Sequence, residues 1–299
     1  MDSWIPVSAI AKPAPKPAAR RSISPLARTW RSFWRRPTTQ ISVAVLLLMV
    51  FAAIFAPWLA PYNPSDIDMF NMLSQPSGTH WLGTDENGRD ILTRLIYGGR
   101  VSLSVGLASV TAAIVIGSVL GALAGFLGGW VDSLISRLID GMLSIPMFFF
   151  LLTTLALFGS SLPILILVIA MTTWMPVARI VRGEITANRE LQYVEAAAAL
   201  GVPRFTILFR HILPQSTPSI IVAATLGIAE AIMVESALSY LGFGVRPPTP
   251  SWGNMLAEAR GYIFQNPMMT VYPGAMIFLC VLAFNTIGDA MRDATDPRK

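Results

Sequence analysis

Few side chains in this 299-residue sequence are able to do chemistry, and their spacing excludes most active sites. Cys280 is the only cysteine, so neither an internal disulfide nor a multi-cysteine zinc site can form. The two histidines, His80 and His211, stand far apart and offer no metal motif. Lysine occurs only at Lys12, Lys16 and Lys299, none of them after a glycine, so the phosphate loop G-x-x-x-x-G-K-[ST] is missing. No histidine–carboxylate pair suggests a proton relay. The run Asp85-Glu86-Asn87-Gly88-Arg89-Asp90 is acidic, but it lacks the D-x-[DN]-x-[DN]-G spacing and closing glutamate of a calcium loop. Asn87-Gly88 reads instead as a turn. Two further carboxylates, Glu230 and Glu235, fall inside an apolar stretch, where charge marks a pathway, a gate or a buried bond to a neighbouring helix. Five residues turn a helix by about 140°, so the two do not form one acid–base pair. No catalytic residue, metal ligand set or bound cofactor is expected.

The elements that hold these residues follow from charge scarcity. Charged residues make up 13% of the chain and AVILMFWYC residues 54%, against roughly 25% charged in a soluble domain. Mean hydropathy is +0.58. This is the composition of an all-α polytopic membrane protein. A span needs about 20 apolar residues to cross about 30 Å of hydrocarbon. The charge-free gaps predict six spans, at 40–60, 101–127, 134–158, 162–181, 216–243 and 268–288. The cluster Gly159-Ser160-Ser161-Leu162-Pro163 turns the third into the fourth. Outside lie 61–100, with a short helix carrying Ile91, Leu95 and Ile96, and 244–267, where Pro247-Pro248-Thr249-Pro250 and Trp252 suggest a partly ordered segment at the outer interface. Inside lie a basic, proline-bearing tail (1–39), a loop at 183–215 and a tail at 289–299. This placement puts most of the 22 Lys and Arg residues in the cytoplasm, as the positive-inside rule requires. It also accounts for a pI near 9.7 without nucleic acid. The long polar stretch before an apolar run of about 19 residues reads as a retained anchor rather than a cleaved signal.

Within the spans, Gly117, Gly121, Gly125 and Gly129 recur every fourth residue, one step after Ala113. Such a stripe lets another backbone approach closely. Pro146 and Pro176 are expected to kink the third and fourth spans; the bland reading is shape, the functional one a gating hinge.

The 183–215 loop has a distinct design. A helix is expected from about 188 to 200, stopped by Gly201, with Pro203 opening a second helix that ends before Pro214. Phe205, Leu208, Phe209 and Ile212 fall at i, i+3, i+4 and i+7, an amphipathic stripe from which Arg204 and His211 point away. A helix–turn–helix between two spans is a mechanical handle or an interfacial segment.

Glu195-Ala196-Ala197, then Gly201, then His211-Ile212-Leu213-Pro214 resembles the EAA motif of ABC-importer permeases (EAA-x3-G-x9-I-x-LP). It departs at His211, where the peptide-permease branch commonly reads H-I-L-P. Three more blocks are similar to that branch: 80–90, 247–253 and 282–293. Ala290 and Thr295 are small departures. From about residue 30 onward, with a permease core at about 97–290, the chain is identified as resembling the second, C-type permease subunit of dipeptide/oligopeptide/nickel ABC importers. The resemblance implies a type I importer permease fold in the bacterial inner membrane, with both termini cytoplasmic. It implies a homologous second permease, an external solute-binding protein, and two separate ATP-binding subunits that carry ATP and Mg. Glu195, Ala196, Ala197, Gly201, Arg204, His211, Leu213 and Pro214 would form the ATPase-coupling element. The solute would be a peptide, a nickel chelate, an opine or another small solute, and Glu230, Glu235, Pro146 and Pro176 are the candidates for path or gate. The alternatives are a channel or secondary carrier acting alone, and a membrane scaffold.

Overall fold

The computed structural model describes residues 33–295. Most of the expected basic tail and the last four residues lie outside them. Among the described residues the chain is helical, without strands. Five helices are long and apolar enough to cross a membrane, and a sixth crossing is made if a bent pair counts as one.

Helix α1 (Pro37–Ile54) opens with proline at its first turn and lies at the outside of the bundle, with Ile41, Leu47, Leu48 and Phe51 exposed as lipid-facing side chains. Helix α2 (Ile91–Leu127) starts at Asp90, whose carboxylate accepts the Thr93 backbone N–H at 2.8 Å. At 37 residues it is about 55 Å long, so it merges the short external helix with the second span. Gly98-Gly99 does not break it, because the Trp252 ring covers these glycines and a Cβ on Gly99 would lie 2.9 Å from that ring.

The third crossing departs from a continuous span over 134–158. Helices α3 (Gly129–Leu143) and α4 (Met147–Phe158) meet at 81° across Ser144-Ile145-Pro146. Pro146 has no N–H for the preceding turn and disfavours helical geometry at Ile145, so it ends the helix rather than kinking it. Pro176, by contrast, sits inside α5 (Leu162–Arg189). Helix α6 (Gln192–Ala199) is separated from α5 by a two-residue break, so α5 runs on past 188, where a new helix was expected to begin. Helix α7 (Arg204–Tyr240) fuses the second loop helix with the fifth span. Helix α8 (Trp252–Ala259) folds back under the outer surface, and α9 (Met268–Thr295) closes the chain.

The α2–α5 pair is the spine of the fold, and three glycines make it possible. A Cβ on Gly117 would stand 2.6 Å from the Trp174 carbonyl oxygen, one on Gly125 2.7 Å from that of Arg182, and one on Gly121 would overlap that of Ala178. The small-residue stripe thus packs backbone on backbone, which is how helices gain contact in lipid. Gly129 does not belong to this contact. It lies beyond the helix break at Gly128, has φ +56°, and has nothing within 4 Å of its Cβ position. Ion pairs from Asp132 to Arg182 and from Asp140 to Arg179 fasten α3 along α5. Arg189 donates to the Gly125 and Phe126 carbonyls, capping the end of α2 with a cation.

The spine makes a testable difference between two glycines. Gly121→Leu is expected to force α2 from α5 and cost at least about 2 kcal/mol, whereas Gly183→Ala, at an open helical position, should gain up to about 1 kcal/mol. Thermal unfolding of the purified protein in detergent reads both, and an unchanged melting temperature for Gly121→Leu would disprove the spine.

Candidate functional site

The chemistry-bearing residues separate into three places along the bundle: a hairpin at the end that the positive-inside rule assigns to the cytoplasm, a cleft in the adjoining half, and at the far end a cluster termed the outer cap.

The hairpin is α6, the turn at Gly201 and the first turns of α7. Gly201 adopts φ +78°, the left-handed region open to glycine. Its N–H donates to the Ala198 carbonyl (3.0 Å) and the Val202 N–H to that of Ala197 (3.1 Å), a Schellman stop that satisfies the end of α6. Val194 is buried with Ile207, Leu208 and Ile212 against Val177, Val181 and Ile185 of α5, so the hairpin is seated on the spine. The Gln215 amide donates to the Tyr193 hydroxyl at 2.6 Å and ties the two arms together. The expected Phe205–Leu208–Phe209–Ile212 stripe is corrected. Residues Ile207–Ile212 form π-helical turns, which place residues five apart on one face. Ile207 and Ile212 therefore point inward, while Phe205 and Phe209 face out at 63% and 62% exposure, beside Leu200 at 85%. Glu195, Ala196, Arg204 and Pro214 are exposed, Ala197, His211 and Leu213 half-buried.

The cleft encloses about 380 Å³ between α5, α7 and the end of α9. Thr173, Pro176, Val177 and Ile180 line one wall and residues between Ser219 and Glu230 the other, with Arg292 and Thr295 at its rim. Of the four residues singled out for a path or gate, the structure brings Pro176 and Glu230 together here. Pro146 and Glu235 lie elsewhere. Pro176 has no N–H for the Thr172 carbonyl one turn earlier, so α5 presents a backbone acceptor without its helical donor at this level.

Glu235 is instead the hub of the outer cap and fully buried. It accepts from Ser102 Oγ of α2 (3.0 Å) and from Ser239 Oγ one turn on (2.7 Å). Ser102 Oγ in turn accepts the Trp252 backbone N–H (3.2 Å), and Ser239 Oγ accepts that of Val245 (3.1 Å). Trp252 Nε1 donates to the Leu95 carbonyl at 3.0 Å. The tryptophan is 1% exposed, so its ring packs inside the protein rather than facing lipid headgroups. The capping box of Ser251 and Asn254 starts α8 at this point.

Above it, Asp85, Glu86 and Glu258 converge closely enough to bind a cation, but two guanidiniums already fill that role. Arg89 bonds Asp85 (2.6 Å), Glu86 (2.9 Å) and Glu258 (3.1 Å); Arg94, 1% exposed, bonds Glu258 (2.7 Å) and Asp85 (3.1 Å). Burial, and then the neighbouring Asp85, push the Glu86 carboxyl above its ordinary pKa. His80 Nδ1 lies 3.0 Å from Asp90, the α2 cap. Glu258 could not have been found from spacing, because it reaches this cluster from more than 160 residues away.

With this geometry in hand, the relatives decide the family. The family described as binding-protein-dependent transport system inner membrane component matches residues 117–299, and the N-terminal TM domain of oligopeptide transport permease C matches 24–76. The chain is 40% identical over 279 residues to a putative peptide permease protein of Brucella suis biovar 1, covering 93% of this chain and 92% of that one. It is also 40% identical to the glutathione transport system permease protein GsiD of Pectobacterium atrosepticum (90% and 91% covered) and to the dipeptide transport system permease protein DppC of Alkalihalophilus pseudofirmus (93% and 91%). The chain belongs to the inner membrane permease family of binding-protein-dependent transport systems. A chain of the MetNI methionine ABC transporter, solved in inward-facing conformations, shares the fold with a TM-score of 0.56 at 21% identity, covering 69% of this chain and 98% of that one. The permease therefore has the type I importer architecture, and it is the transmembrane subunit of an ABC importer.

The cap of this permease can be tested by splitting its buried pairs. Arg94→Ala leaves Glu258 and Asp85 short of a cation and is expected to cost about 3–5 kcal/mol, while Arg94→Met combined with Glu258→Met should recover most of that loss. Melting curves of the two variants in detergent check it; equal destabilisation by both would show that charge pairing is not what holds α8 down.

Proposed function

We propose that this permease forms one half of the translocation path of an ATP-driven importer for short peptides or closely related solutes, and that α6 with its Gly201 turn is the element through which ATP hydrolysis moves it. The observation that carries the reading is the exposure of Leu200, Phe205 and Phe209 on a hairpin whose buried side chains are locked to α5. Large exposed apolar side chains grouped on one protruding element mark a docking surface. The hairpin is also tied rigidly to the glycine-packed spine, so force applied there is delivered to α2 and α5. Glu195, Ala196, Ala197, Gly201, Arg204, His211, Leu213 and Pro214 build or flank this surface.

The rest of the assembly follows from that role. With three lysines and no phosphate loop, the chain draws its energy from separate subunits that bind ATP and Mg. A second, homologous permease completes the path, and an external solute-binding protein delivers the solute to the outer cap. Both termini face the cytoplasm, in keeping with the basic residues before α1 and in the hairpin. The names of the relatives, peptide, glutathione and dipeptide permeases, support a peptide-class solute. Pro176 and Glu230 face the path, Pro146 shapes the third crossing, and Glu235 holds the outer cap closed.

Gly201 separates this mechanism from a passive one. Nothing lies within 4 Å of its Cβ position, so a side chain there meets an incoming partner and not this chain. In proteoliposomes holding the complete transporter, Gly201→Trp is expected to lower ATP-driven uptake at least about tenfold while ATPase activity persists. Gly201→Ala, which costs only about 1–2 kcal/mol of left-handed backbone strain, should retain most uptake. Normal uptake by Gly201→Trp, or uptake by the wild-type chain alone without ATP, would refute the coupling role.

A further inference from the structure

Glu230 is exposed in this chain although it sits in the middle of a span, thirteen residues from the start of the lipid-crossing part of α7. Among the described residues it has no ion-pair partner, and neither has Arg292. A carboxylate at this depth does not face lipid; it faces water or a positive group. Its neighbours show which way that face looks. Glu230, Met233, Ala237 and Tyr240 are all exposed and recur at the three- and four-residue spacing of one helix face. Below Glu230 the same face becomes the wall of the cleft shared with Pro176.

The opposite end of the cleft carries the opposite charge. Gly288 of α9 packs against Leu226 of α7, and Met291 approaches Thr225, so Arg292 stands near the level of residue 222. Eight helical residues then separate it from Glu230, about 12 Å at 1.5 Å per residue. A peptide spans at most about 3.5 Å per residue, so about three residues bridge that distance, and the flexible arginine side chain shortens it for a dipeptide. Of the carboxylates at this end, Glu184 accepts the Ser219 hydroxyl at 2.7 Å and Asp293 pairs with Arg36. The volume of about 380 Å³ falls in the range of about 300–1,000 Å³ typical of small-ligand sites. Between the two charges the lining is mostly apolar and not specific for any side chain.

We propose that this cleft is a peptide-end recognition site, in which Glu230 takes the N-terminal ammonium and Arg292 the C-terminal carboxylate of a short zwitterionic peptide. The inference rests on the reading of the chain as a peptide importer subunit and adds a selection step inside the membrane.

The test uses the complete transporter with tri-alanine as probe. In proteoliposomes, Glu230→Gln is expected to lower ATP-driven tri-alanine uptake about tenfold, the worth of one charge-assisted hydrogen bond, while Glu230→Asp retains most of it. Tri-alanine uptake per ATP hydrolysed should fall in Glu230→Gln, and an equal loss of uptake and ATPase activity overturns the site. Saturation-transfer NMR on the detergent-solubilised complex without binding protein should give signal from tri-alanine, and much less from N-acetyl-tri-alanine or from tri-alanine amide. Wild-type uptake by Glu230→Gln, or equal saturation transfer from free and N-acetylated peptide, overturns the site and leaves the importer reading intact. A wild-type transporter that carries no tri-alanine on addition of ATP overturns the peptide reading itself, and the site with it.

Discussion

Inside a bilayer a polar group has no water to turn to, so each one must find its partner in protein or face an aqueous path. That constraint organises this permease from end to end. Glu235 is acceptable at its depth because hydroxyls from two helices saturate it, and those hydroxyls in turn bind the backbone of the outer segment. The same carboxylate that would be a liability in lipid thus becomes the pin that seats α8. Glu230, five residues away, has no such partners among the described residues and lines the cleft. Two residues of one type in one span are assigned to different tasks by what surrounds them.

The second organising fact is the close approach of α2 and α5. Apolar side chains gain little by leaving lipid for protein, so tight association needs backbone contact. Gly117, Gly121 and Gly125 supply it, and the hairpin rests on the same spine through Ile207, Leu208 and Ile212. The hairpin and the cap are joined through one helix: α2 carries the glycine spine in its second half and the Trp252 seat in its first.

The outer cap shows how a protein replaces a metal. Three carboxylates from the 80–90 loop and α8 meet at one point, and Arg89 and Arg94 take the place an ion would occupy. Removing one partner from such a buried cluster is costly, because it leaves an uncompensated charge. It joins the 80–90 loop to α8, more than 160 residues further along the chain.

Much of this was legible from residue types alone. Charge-free gaps located the crossings, because burying even one charge per span is expensive; the EAA block and its Gly201 located the hairpin, because only glycine is comfortable in that turn. Periodicity also exposed the Gly117–Gly125 stripe. What only the tertiary structure decided were the partners. Sequence spacing treats Glu230 and Glu235 alike, reads Pro146 and Pro176 as equivalent kinks, and continues the glycine stripe to Gly129. Packing separates each pair: hydroxyls from α2 and α7 claim Glu235, the break at Pro146 ends a helix whereas Pro176 is carried inside one, and Gly129 lies past the end of α2. Local rules state where a residue sits on its own helix. Which neighbour it meets depends on contacts from 50 to 164 residues apart, and no short-range pattern encodes those.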